Sequence, residues 1–109
     1  MKKYIIEREI PNVGALEGEP LREAAAKSNQ VLHKLGPGIQ WLESFITHDK
    51  MYCVYLAENE AVIHKHAELS GFPAHKVTEI GKIIDTTTAN QGSGGNHPVQ
   101  LQSNLKLRV

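Results

Sequence analysis

The sequence contains a single cysteine among its 109 residues. Cys53 has no second cysteine with which to form an internal disulfide, and the paired cysteines of a zinc knuckle are missing as well. A lone thiol is typical of proteins in a reducing compartment. We therefore predict a cytoplasmic protein that contains no disulfide.

The sequence also has no net charge, since 12 Lys and Arg residues balance 12 Asp and Glu residues. Without a positive field, neither a nucleic-acid backbone nor an anionic membrane surface is favoured as a partner. Apolar runs are short, far below the roughly 20 residues needed to cross a bilayer. Glu7, Arg8 and Glu9 interrupt the region where a signal peptide needs an apolar segment. We predict no nucleic-acid partner and no membrane partner.

The apolar residues that are present follow strand and helix periodicities. A first helix is predicted within residues 19–35, because Gly36 and Pro37 follow it in the order usual after a helix C-terminus. A tight turn around His48, Asp49 and Lys50 predicts a hairpin. The predicted strands are Lys2–Ile10, Ile39–Thr47, Met51–Ala57 and the stretch HKVTEIGKIID from His75 to Asp85, and a second helix is predicted from Asn59 to Ser70.

The order strand, helix, strand, strand, helix, strand is that of a ferredoxin-like α+β domain. Such a domain has a four-stranded antiparallel sheet with both helices on one face. We place it at residues 1–88. Residues 89–109 include a Gly-Ser-rich stretch and are predicted to form a flexible tail, whose last residues, LKLRV, could add a short edge strand.

The hairpin strands carry large apolar residues on both faces. Alternation puts Trp41 and Phe45 on one side and Leu42 and Ile46 on the other. A sheet covered by helices on one face only should be polar on the other, so a second cover is needed. We predict a homodimer that pairs through the open sheet face, as in dimeric α+β barrels.

The two histidines of the second predicted helix lie on different faces of that helix. Successive helical residues rotate by about 100°, so His64 and His66 point in nearly opposite directions and cannot grip one ion together. His66 falls among apolar neighbours and should face the sheet, where burial favours its neutral form. It is either a core histidine with satisfied hydrogen bonds or a group that binds a metal or a proton.

His64 lies on the outer face, four residues after Glu60 and four before Glu68. This stripe is either an ordinary solvated surface or a weak site for a divalent transition metal. His75 opens the last strand and is a possible third ligand.

A second candidate site combines a carboxylate with aromatic side chains. Glu43 is predicted to share a strand face with Trp41, and a carboxylate beside aromatic rings is a candidate proton acceptor. Together with Tyr55 and His66, these residues could line an apolar pocket between helices and sheet. The corresponding function is a dimeric α+β barrel enzyme or a small-ligand-binding protein. We assign no catalytic residue, because no nucleophile with a neighbouring base is evident.

The stretch GIQWLESFITHDKMYCVYLAENEAVIHKHAELSGFPAHKVTEI resembles a family of small bacterial ferredoxin-like proteins named for nickel binding and otherwise of unknown function. The resemblance runs from about Lys3 to Asp85. It is carried by residues of the strands, the hairpin and the second helix, namely Trp41, Ser44, DKMYCVY ending at Tyr55, His66 and SGFPAHKV. It implies a dimeric ferredoxin-like fold and, for at least some members, capture of nickel through histidines and carboxylates.

Our leading hypothesis is therefore a cytoplasmic homodimer that holds nickel or a similar divalent ion. The ion would be stored or sensed rather than used in turnover, so an enzymatic role is the less expected one. The predicted ligands are histidines and a carboxylate of the second helix and its following strand, headed by His66 and followed by His64, Glu68 and His75.

Overall fold

The computed structural model describes residues 1–90 of the chain, so most of the predicted tail and its edge strand at 105–109 lie outside the described residues. The elements follow the predicted order, and the ferredoxin-like α+β fold is confirmed. They are β1 (Lys2–Glu9), α1 (Gly18–Leu35), β2 (Ile39–Ile46), β3 (Lys50–Ala57), α2 (Glu60–Ser70) and β4 (Lys76–Glu79), with short 3₁₀ turns at Val13–Ala15, Gly36–Gly38 and Thr86–Asn90.

The four strands form one antiparallel sheet in the order β2-β3-β1-β4. In the central pair, Tyr4 lies opposite Tyr55 and Ile6 lies opposite Cys53. Because side chains alternate between the faces of a strand, these four residues share one face. The two helices cover that face, and the core between them consists of Tyr4, Ile6, Ile39, Cys53, Tyr55, Ala57 and Ile63.

A β-bulge in β2 changes which side chains face the helices. The register with β3 shifts between Trp41 and Glu43, so that Leu42 is an extra residue in the ladder. Such an insertion reverses the inward and outward alternation for the residues that follow it. Trp41 and Ser44 therefore share the helix-covered face, where Trp41 Nε1 donates a hydrogen bond of 2.9 Å to Ser44 Oγ.

The predicted placement of Glu43 beside Trp41 is wrong for this reason. Glu43 lies beyond the bulge on the open face of the sheet, where Phe45 also lies and is 53% exposed. Strict alternation from Trp41 could not reveal the change, because a bulge adds a residue without altering the apolar pattern.

The last strand is shorter than predicted. β4 spans only Lys76–Glu79, and it pairs with the four middle residues of β1, from Tyr4 to Glu7. Its ladder ends where the backbone N–H of Ile80 donates to the carbonyl of Lys3 at 2.8 Å, near the beginning of β1. Within residues 1–90, no strand residue lies opposite Ile83 and Ile84, and these side chains are 66% and 75% exposed.

Both ends of α2 are set by local chemistry. The Asn59 side chain accepts a hydrogen bond of 3.0 Å from the backbone N–H of Val62, which satisfies one of the free donors of the first turn. Gly71 ends the helix in the left-handed conformation, with φ of 80°. Within residues 1–90, no helix combines the length and the apolar character needed to cross a membrane.

Candidate functional site

A cluster of buried polar side chains lies at one end of the core. Arg8 and His66 are each 1% exposed, and Ser28 is 5% exposed. They come from β1, α2 and α1 respectively, so the fold brings together residues that are far apart in the sequence. Tyr55 of β3 lies between them, with its ring centroid 5.5 Å from that of His66.

The Arg8 guanidinium is held by neutral acceptors. Nη1 donates hydrogen bonds to the backbone carbonyls of Phe72 at 3.2 Å and Pro73 at 2.9 Å. Nε donates to Cys53 Sγ and Nη2 donates to the Tyr55 hydroxyl, both at the longer distance of 3.4 Å. None of these acceptors carries a formal negative charge in its usual protonation state, so the positive charge of Arg8 is solvated but not neutralised.

His66 faces the sheet as predicted, and among the described residues it has one hydrogen-bond partner. Its Nε2 lies 3.1 Å from Ser28 Oγ. Its Nδ1 is buried and has no hydrogen-bond partner within residues 1–90. In either tautomer one polar ring atom is therefore left unsatisfied, which costs free energy in a dry interior.

Burial and charge hold this histidine in its neutral form. Burial, reinforced by the positive charge of Arg8, lowers the pKa of His66 from 6.5 to about 4, and a hydrogen bond with Ser28 acts in the opposite direction. Burial also raises the pKa of Tyr55, although the charge of Arg8 opposes this. Near pH 7 the imidazole is uncharged and the phenol keeps its proton.

A cavity of about 540 Å³ lies beside the cluster, between α1 and the sheet. Arg8, Ser28, Ser44 and Tyr55 contribute its polar wall. His66 lies behind that wall, in contact with Ser28 and Tyr55. Most of the remaining wall is apolar, with side chains that include Val13, Leu16, Leu21, Ile46, Met51 and Phe72.

Ser28 and His66 also resemble the nucleophile and the base of a catalytic triad. A triad would need a carboxylate at His66 Nδ1 to orient the ring, and that atom has no partner within the described part of the chain. With a pKa of about 4, the imidazole is also a weak proton acceptor at neutral pH. Within residues 1–90, Ser28 and His66 therefore form a pair without the third member of a triad.

The structure disperses the four predicted metal ligands. His64 is exposed, and its Nε2 lies 3.0 Å from Glu60 Oε2 one turn earlier. Glu68 contacts Lys65 instead, at 3.6 Å. His75 is exposed, and its Nδ1 accepts a hydrogen bond of 3.0 Å from the backbone N–H of Glu9. His66 is enclosed on the other side of α2.

Of the residues predicted to line a pocket, Trp41 and Tyr55 line the cavity. Sequence reasoning missed Arg8 and Ser28. A signal for Arg8 was present, since it shares the two-residue period of Tyr4 and Ile6 in β1, but a charged residue at the end of a strand usually faces water. Ser28 had no comparable signal.

Residues 4–80 match a family described as nickel responsive proteins similar to SCO4226. The match covers more than half of the chain. The chain belongs to this family. The resemblance noted from the sequence is thereby confirmed, and the matched residues include both helices, β2, β3, β4 and β1 from Tyr4 onward.

The fold of this nickel responsive family member is similar to the crystal structure of SCO4226 from Streptomyces coelicolor A3(2). The comparison has a TM-score of 0.63 and covers 75% of this chain and 99% of that chain, at 10% sequence identity. Identity this low establishes a common fold and leaves the site to be argued from its own residues. A search among curated proteins found no match.

The description of the family names nickel, but the described residues of this single chain contain no preassembled ion site. Within residues 1–90, no group of three or more His, Cys, Asp or Glu side chains is arranged to hold a metal ion. Within these residues a histidine lies beside a carboxylate in two pairs, His64 with Glu60 at 3.0 Å and His48 with Asp49 at 3.8 Å.

Proposed function

We propose that the protein is a homodimeric nickel-binding protein that captures the ion through an imidazole and a carboxylate on the exposed face of α2. The observation that carries this proposal is the contact between His64 Nε2 and Glu60 Oε2, at 3.0 Å. The family description supports the choice of metal.

This pair has the chemistry that a borderline divalent ion prefers. Imidazole nitrogen suits nickel, and nickel accepts water at its remaining coordination positions. The two side chains are about half exposed, so an ion can reach them without a conformational change. The carboxylate of Glu68 lies one turn further along the same helix and adds negative charge near the site.

His66 is a less favourable nickel ligand than the sequence predicted. Its unpartnered Nδ1 is a free donor atom, but the neighbouring Arg8 carries a positive charge that repels a dication. His75 is engaged through Nδ1 by the backbone of Glu9 and offers only Nε2. We therefore place the ion at His64 first.

Titration calorimetry with nickel chloride tests this assignment. The wild-type protein is expected to bind nickel, and His64→Ala is expected to weaken binding by at least about 10-fold, because it removes the nitrogen ligand. His33→Ala is the matched control, since it removes an exposed histidine from the other helix. An unchanged affinity in His64→Ala would contradict the site, and no binding by the wild type would contradict the function.

The dimer is the second part of the proposal, and the uncovered sheet face supports it. Phe45 is 53% exposed there, beside the half-buried residues Tyr52, Val54 and Leu56. Contiguous apolar surface of this kind favours burial against a second copy.

The buried thiol of Cys53 is free, in keeping with a reducing compartment such as the cytoplasm.

Phe45→Lys is expected to shift the protein from dimer to monomer in sedimentation equilibrium, because it places a charge within the apolar surface of each copy. The matched control is Leu69→Lys, which changes a side chain of similar exposure, 46%, on the helix that covers the opposite face. A dimer that survives Phe45→Lys and dissociates in Leu69→Lys would place the interface on the helices instead.

A further inference from the structure

We infer that the cavity between α1 and the sheet binds a small organic acid, whose carboxylate is held by Arg8 and whose apolar body fills the chamber. This site differs from the proposed nickel site, which lies on the outer face of α2, and the inference does not depend on nickel. The occupant is a monocarboxylic acid with an aliphatic or aromatic body.

The charge of Arg8 is buried and has no anionic partner within residues 1–90. Its side chain is 1% exposed, and burying an unpaired charge costs several kcal/mol in typical proteins. No Asp or Glu within residues 1–90 forms an ion pair with it. The carboxylate nearest in sequence, that of Glu9, belongs to an exposed residue at the cavity rim. A ligand carboxylate would supply the missing negative charge.

The Arg8 side chain also has more hydrogen-bond donors than the described residues satisfy. A guanidinium has five N–H groups, and the described residues offer four acceptors to Arg8. The contact from Nη2 to the Tyr55 hydroxyl is long, at 3.4 Å, whereas the same distance from Nε is ordinary for the larger sulfur of Cys53. A carboxylate oxygen at Nη2 would form the shorter, charge-assisted bond that the neutral acceptors do not provide. The hydroxyls of Tyr55 and Ser28 lie in the same wall.

The two ends of the cavity differ in polarity. The polar wall is small and is centred on Arg8, whereas most of the remaining lining is apolar and includes Leu16, Leu21 and Met51. A volume of about 540 Å³ lies within the range that encloses small organic ligands. An inorganic anion would leave the apolar part unfilled, and a neutral ligand would leave the charge of Arg8 unanswered.

Trp41 makes the inference directly measurable. It is the only tryptophan of the chain, and it lines the cavity. Titration of its fluorescence with octanoate and with octan-1-ol compares two ligands of equal chain length that differ in charge. Wild-type protein is expected to bind octanoate roughly 10- to 100-fold more tightly, as expected for a hydrogen bond to a charged group.

Arg8→Met keeps the length of the side chain and removes its charge. This variant is expected to lose the preference, so that octanoate and octan-1-ol bind within about 2-fold of each other. Arg22→Met is the control, since Arg22 is an exposed residue of α1 paired with Glu19. Equal affinity of the wild type for both ligands, a preference retained in Arg8→Met, or no fluorescence response to either ligand would each overturn the inference.

A second pair of variants decides the matter if Arg8→Met does not fold. Ala25 is half-buried and lines the cavity, whereas its neighbour Ala26 is exposed and does not. Ala25→Phe is expected to fill the chamber and weaken octanoate binding by at least about 10-fold, because the added ring occupies the ligand's volume. Ala26→Phe is expected to bind like the wild type. Equal affinities in the two variants would place octanoate outside the cavity and overturn the inference.

Discussion

Lowering the pH from 6.5 to about 4 is expected to reduce the free energy of unfolding by roughly 3 kcal/mol through His66 alone. In the folded protein this imidazole stays neutral down to about pH 4, because burial and the charge of Arg8 disfavour a second positive charge. In the unfolded chain it regains its ordinary pKa of 6.5. Between these values the unfolded chain binds a proton that the folded protein does not, so acid favours unfolding.

The direction of the effect follows from the lowered pKa. Above pH 6.5 the contribution vanishes, since His66 is neutral in both states; it grows as the pH falls and levels off below about pH 4. Urea denaturation at a series of pH values, with a chelator present, measures it. The groups that contact or face the ring are Arg8, Tyr55 and Ser28, and only Arg8 is charged in this range.

His66→Gln is the variant that isolates this contribution. Gln can still bond to Ser28 but cannot take up a proton, so the pH dependence of stability should become shallower by roughly 3 kcal/mol over the same interval. His64→Gln is the matched control, because His64 is exposed on the same helix. If His66→Gln and the wild type lose stability in parallel, the imidazole is not held neutral by its surroundings.

Ile6→Ala is expected to destabilise the protein by about 2–5 kcal/mol. Ile6 is 0% exposed and lies in the central strand β1, opposite Cys53 and within the core that the helices cover. Removing its side chain forfeits apolar burial and leaves a cavity that neighbouring side chains fill only in part. Small domains have a total stability of roughly 5–15 kcal/mol, so the loss is a large fraction of the whole.

The urea midpoint of Ile6→Ala, compared with that of Ile84→Ala, measures this loss. Ile84 is the same residue type, but it is 75% exposed beyond the end of β4, and its truncation should change stability by no more than about 0.5 kcal/mol. Similar midpoints in the two variants would mean that the strand β1 does not form the centre of the core.

The two sites make different demands on the fold. The pair proposed to bind nickel lies on one turn of α2 and needs only that the helix form, since Glu60 and His64 are four residues apart. The cavity needs β1, β3, α1 and the segment after α2 to meet, because Arg8 is held by the carbonyls of Phe72 and Pro73. Destabilising changes in the core should therefore affect acid binding before they affect nickel binding.

Much of the architecture was readable from local pattern. The helix ends at Gly36 and Gly71 and the hairpin turn at His48 and Asp49 depend on short-range chemistry, and these predictions agree with the structure. The inward direction of His66 followed from helical rotation among apolar neighbours. Each of these features involves residues within a few positions of one another.

The errors arose where distant residues decide the outcome. The bulge at Leu42 depends on how β2 aligns with β3, and it moved Glu43 to the other face of the sheet. The end of β4 depends on where its partner β1 begins, which left Ile83 and Ile84 without a ladder. In both cases the deciding strand is distant in the sequence from the segment whose structure it changes.

The sequence by itself determined the order of the elements, the ferredoxin-like fold and the opposite directions of His64 and His66, because periodicity and turn residues act over a few positions. Only the tertiary structure decided that Arg8, Ser28, Tyr55 and His66 meet beside one cavity. The physical reason is that a charge is placed in an interior by the packing of several elements at once, and the free energy of that arrangement is a property of the assembled site rather than of any one segment.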